Sequence, residues 1–112
     1  MNHAQIDRLL SSVPAATEQR HVRRVEGYAY TARRVEVRIA DLRCELERAL
    51  RAVDDAVPQG HADDAADQAL VLAQQLDSLE RIQPRVDSWL RVAIGAVADD
   101  QGTEPFGEGP TA

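Results

Sequence analysis

Two stretches of apolar residues, each stepping alternately by four and three positions, flank one Pro-Gly turn, and this arrangement constrains the fold more than any other feature. Tyr28, Ala32, Val35, Ile39, Leu42, Leu46, Ala49, Val53 and Ala56 form the first stretch. Ala69, Leu72, Leu76, Leu79, Gln83, Val86, Leu90, Ala93 and Val97 form the second. Such steps place every member on one stripe of an α-helix. At 1.5 Å per residue the first helix would be roughly 60 Å long, and a helix of that length needs a neighbour along it. Val57-Pro58-Gln59-Gly60 is the clearest turn signal in the chain. The pattern predicts an all-α fold: an antiparallel, coiled-coil-like helical hairpin with its turn at 57–60, in which residue i faces about residue 118 - i.

Glycine and proline mark the other boundaries. Asn2–Val13 carries Ile6, Leu9, Leu10 and Val13 at helical spacing, which predicts a short amphipathic N-terminal helix over 1–13. Pro14 then suits the start of the long hairpin, 14–99, because the first turn of a helix tolerates proline. Pro84 lies inside the second arm and predicts a kink there in preference to a break, since the apolar phase continues through it and no capping residue precedes it. The hairpin register puts Gly27, Tyr28 and Tyr30 near Trp89 and Arg91, and a glycine opposite an indole suggests close contact. Residues 100–112 are rich in Gly, Pro and acids and read as a flexible acidic tail.

The core such a hairpin can build is thin. Of the hydrophobic residues 18 are Ala, and only four are aromatic. Small side chains bury little area at roughly 25 cal/mol per Å². Apolar residues also remain off the seam: Val22, Leu50 and Val57 on the first arm, and Leu70, Val71, Ile82, Trp89, Val92 and Ile94 on the second. A two-helix hairpin cannot cover both sides of the second arm, and the alternative to a further partner is a self-contained three-helix monomer in which the Asn2–Val13 helix covers part of that surface. The reading therefore favours homo-oligomerisation, a protein partner, or both, with Leu70, Leu72, Leu76, Ile82, Trp89, Val92 and Ile94 as interface residues.

Charge adds an orientation. The chain has 13 Arg, no Lys and 19 acids, a net charge of -6. Residues 20–51 hold nine Arg against five acids, whereas 52–80 hold seven acids and no base. Beside the first seam, a parallel homodimer sets Arg38 against Arg43, whereas an antiparallel pairing, on a copy of the same helix or on the second arm, matches Glu36 with Arg43 and Arg38 with Glu45, at about a few tenths of a kcal/mol per pair. Arg in place of Lys, with the high Ala content, points to a high-GC bacterial or phage source.

Catalytic chemistry is disfavoured, and no catalytic residue, metal or cofactor is expected. Asp63-Asp64-Ala65-Ala66-Asp67 has the spacing of the DDxxD motif that holds magnesium on a diphosphate in isoprenoid synthases, but the chain is too short for the helical cavity they need. At the start of the second arm these acids instead complement the helix macrodipole. Asp77 and Glu80 lack the facing E-x-x-E pair of a helical pyrophosphatase. His3, His21 and His61 are isolated, with none in an E-x-x-H or H-x-x-x-H pair. Cys44 has no His or Asp spaced to activate it, and a single cysteine forms no internal disulfide. Arg20, Arg23, Arg24, Arg33 and Arg34 could contact nucleic acid phosphates or an acidic partner, but the acidic second arm would partly neutralise them and no recognition motif accompanies them.

A hairpin of about a hundred residues with a central turn resembles in shape the small helical proteins exported by type VII secretion. Their W-x-G turn is replaced here by Val57-Pro58-Gln59-Gly60, and the terminal Y-x-x-x-D/E signal is absent. No run of eighteen apolar residues predicts a membrane span, and Met1–Leu10 lacks the layout of a signal peptide, so a cytoplasmic location is the default. The sequence reads best as a non-enzymatic protein–protein interaction module, an adaptor, scaffold, inhibitor or assembly subunit. An Arg-arm nucleic-acid binder is the alternative.

Overall fold

The computed structural model describes the backbone of residues 1–102 and side chains through Val97. All regular structure among these residues is helical: α1 (His3–Ser11), α2 (Gln19–Ala56), a 3-10 turn (Val57–Gln59) and α3 (Ala62–Gly102). α2 and α3 are the two arms of an antiparallel hairpin. Cross-arm pairs follow in reverse order, Tyr28 with Trp89, Glu36 with Gln83 and Arg43 with Glu80, close to the expected register.

The turn closes for a local reason. Gly60 adopts φ 77°, a left-handed conformation that costs a residue with a Cβ roughly 1 kcal/mol or more. Its N–H donates to the Val57 carbonyl at 3.2 Å, and the His61 N–H donates to Ala56 at 3.2 Å, satisfying carbonyls at the end of α2. Asp63 and Asp64 occupy the first turn of α3, where the macrodipole favours them.

Two compact units make up the chain, Met1–Arg34 with Pro84 onward, and Val35–Gln83. In the first unit α1 packs on the arms. It starts with a reciprocal capping box in which the Gln5 N–H donates to Asn2 Oδ1 and the Asn2 N–H donates to Gln5 Oε1, both at 2.9 Å. Ile6 is wholly buried, with Val25, Ala29, Val86 and Leu90 forming the surrounding core. In the second unit Val35, Ile39, Leu42, Ala69 and Leu76 fill the seam between the arms. From Leu46 to Ala56 the seam residues of α2 are only half-buried.

Several boundaries differ from the sequence expectation. Pro14 opens a turn, not a helix: the Thr17 N–H and hydroxyl both donate to the Pro14 carbonyl, at 3.1 and 2.7 Å, and α2 begins at Gln19. α3 does run unbroken through Pro84, as the continuing apolar phase predicts, and the missing amide there removes one backbone hydrogen bond. It continues through Gly102, past the expected end at 99. The rest of the expected tail, 103–112, lies outside the described residues. Gly27 makes no close approach: a Cβ built on it would meet nothing within 4 Å, because the indole of Trp89 packs on Tyr28.

Candidate interaction surface

In the Val35–Gln83 unit the two arms enclose an apolar groove beside the seam. Leu46, Leu50 and Val53 form its α2 wall, and Ala66, Ala69, Leu70 and Ala73 form its α3 wall. Toward α2's middle it adjoins a second hollow bounded by Arg43, Cys44, Glu47 and Leu76. The cause is in the sequence. Ala66, Ala69 and Ala73 are too short to reach across, so Leu50 and Leu70 stand at 50% and 56% exposure on its walls. In the other unit α1 packs on the arms; in this unit there is no third helix.

The groove borders are charged. Three arginines here are engaged, Arg43 with Glu80 at 2.8 Å, Arg51 with Glu47 at 3.5 Å and Arg81 with Asp77 at 2.8 Å. Asp54, one turn beyond Leu50, and Asp63 and Asp67, two turns and one turn before Leu70, are exposed and outside these pairs. Val35–Gln83 as a whole carries eleven acids and five arginines.

The expected interface residues divide. Leu70, Ile82, Trp89 and Val92 are exposed, as are Val71, Leu50 and Val57. Leu76 is buried in the seam, and Leu72 and Ile94 are half-buried. Leu76 thus serves the hairpin itself, which is what its heptad position requires. In the first unit the Trp89 ring lies 6.3 Å from that of Tyr28, tilted by 48°, leaving the indole 46% exposed. Sequence reasoning noticed Leu50 as a residue flanking the seam but did not join it to Leu70; the alanines at 66, 69 and 73 are the signal that does so.

The arginines proposed for phosphate contact do not form one array. Arg33 pairs with Asp7 of α1, Arg34 sits 6.0 Å over the Tyr30 ring, and Arg20 reaches Glu18 at 3.3 Å. Arg23 and Arg24 point to solvent. The flanking charges of the first seam are also engaged within the chain, Arg43 with Glu80, Glu36 with Gln83 and Arg38 with Glu45 at 3.3 Å. Arg43 and Glu36 thus reach the second arm, whereas Arg38 and Glu45 pair within α2.

Among the described residues no three His, Cys, Asp or Glu side chains gather in a metal-binding arrangement. Asp77 and Glu80 face Arg81 and Arg43, and His21 lies 3.7 Å from Glu18. One buried acid was not foreseen. Asp87 accepts a 2.6 Å hydrogen bond from the Met1 ammonium, which places a charge pair inside the first unit. Its only sequence signal is an acid next to the seam residue Val86.

No described helix is long and apolar enough to cross a membrane. Fold and surface together define an all-α helical hairpin with an open, acid-bordered apolar groove. No family model, curated protein or solved structure matches the chain.

Proposed function

We propose that the chain is a non-enzymatic protein–protein interaction module that receives an amphipathic helix in the groove of the Val35–Gln83 unit. The observation that carries this reading is the pair of leucines, Leu50 and Leu70, exposed on facing walls in the stretch where the seam residues Leu46, Ala49 and Val53 are themselves only half-buried. Their exposure costs the isolated chain the burial free energy of two large side chains, about 1–2 kcal/mol each at half burial. A helix laid along the groove recovers it, in the manner of helix-in-groove recognition. An adaptor, scaffold, inhibitor or assembly subunit all use such a surface.

Cys44, the single cysteine, is exposed beside the groove and gives a place for an environment-sensitive dye. A neutral Leu/Gln helical peptide with leucines at i, i+3, i+4 and i+7 is expected to bind the labelled chain with micromolar Kd. The L50D/L70D double variant, folded by circular dichroism, is expected to bind at least tenfold more weakly. Equal binding by the wild type and the variant would overturn the reading.

A further inference from the structure

We infer that the helix this groove accepts is a basic one, supplied by a different protein. The inference rests on the interaction reading above and adds the chemistry of the partner.

Charge complementarity carries it. Residues 52–80 contribute seven acids and no base to this unit. Beside the groove Arg43 pairs with Glu80 and Arg51 with Glu47, while Arg48 lines a separate hollow with Glu45, Ala49 and Leu72. Asp67 lies beyond the first turn of α3 and Asp54 lies in the last turn of α2, so the macrodipole that accounts for Asp63 and Asp64 does not account for them. An incoming helix with leucines at i, i+3, i+4 and i+7 would bury them against Leu50 and Leu70, and Arg or Lys beside those leucines would meet Asp54 on one border and Asp63 and Asp67 on the other. Such rim charges set orientation and association rate and select against acidic helices.

The same charges argue against a second copy laid groove to groove. Each copy's Val35–Gln83 unit carries a balance of -6, so apposing two of them brings like charges together along the contact. α1 is no substitute occupant, since its Ile6 is already buried within its own unit.

The dye at Cys44 tests this with three peptides sharing one leucine pattern and differing only at the flanking positions, which are Arg, Gln or Glu. The Arg peptide is expected to bind at least tenfold more tightly than the Glu peptide at about 50 mM salt, and the gap is expected to shrink toward twofold at about 0.5 M salt as the charges are screened. D54N/D63N/D67N is expected to remove most of the gap while leaving the Gln peptide's affinity unchanged. D54N/D67N, which spares the first turn of α3, guards against a folding defect and is expected to remove part of it. Equal affinity for Arg and Glu peptides, or a gap that survives these variants, overturns the basic-partner inference while binding of the Gln peptide keeps the interaction reading. No binding by any peptide overturns both. A concentration-dependent doubling of mass that the Gln peptide reverses would show a second copy in the groove and would also overturn the inference.

Discussion

The Arg43 guanidinium lies 2.8 Å from the Glu80 carboxylate, joining the two arms of the hairpin within the unit that carries the groove. Both side chains are largely exposed, so the pair fixes orientation more than it adds stability. Arg43→Glu is expected to cost about 0.5–1 kcal/mol by urea denaturation, and R43E/E80R to recover most of it. No recovery in the double variant would mean that the pair does not couple in solution.

Seam and groove leucines should separate cleanly in stability measurements. Leu42 is wholly buried between the arms, and Leu42→Ala is expected to lose about 2–5 kcal/mol. Leu50→Ala, eight residues along the same helix, is expected to lose no more than about 1 kcal/mol because half its surface already faces water. A large loss at Leu50 would place that leucine in the hairpin's own core and remove the groove's spare apolar surface.

Tyr28 and Trp89 couple the arms in the first unit through a tilted ring contact. A double-mutant cycle through Tyr28→Leu and Trp89→Leu is expected to give an interaction of about 0.5–1.5 kcal/mol. Trp89 fluorescence, the only indole signal in the chain, should shift to the red in Tyr28→Ala. An unshifted spectrum would mean that the phenol does not shield the indole.

Asp87 is the buried acid that the seam pattern did not foresee. Truncating it to Ala leaves the Met1 ammonium without its partner and is expected to cost about 1–3 kcal/mol. Chemical shifts of the amides in α1 should move most, since the contact holds the chain just before that helix. A cost below about 0.5 kcal/mol would mean that the pair is solvated.

Nucleic-acid binding through the Arg arm is the competing function, and it predicts a salt-dependent gel shift lost in R23E/R24E. We expect no shift, because Arg33 is taken by Asp7 and Arg20 reaches Glu18.

The helical hairpin was legible in the residues alone. Alternating steps of four and three leave an apolar stripe that only a helix presents on one face, and Val57-Pro58-Gln59-Gly60 admits only a turn between two such helices. Local chemistry of that kind depends on nearest neighbours and needs no knowledge of what packs against it. Which off-seam residues remain open was a different matter. Leu70 and Ile94 both lie off the seam in the sequence, yet one is exposed and the other half-buried, because different neighbours surround α3 at the two positions. Likewise, the flanking charges pointed to an antiparallel neighbour, and the pairing of Arg43 with Glu80 and of Glu36 with Gln83 shows the second arm meeting two of them. The groove, the end of α1's reach and the burial of Asp87 all depend on contacts between residues distant in the chain, and those are set by packing in three dimensions.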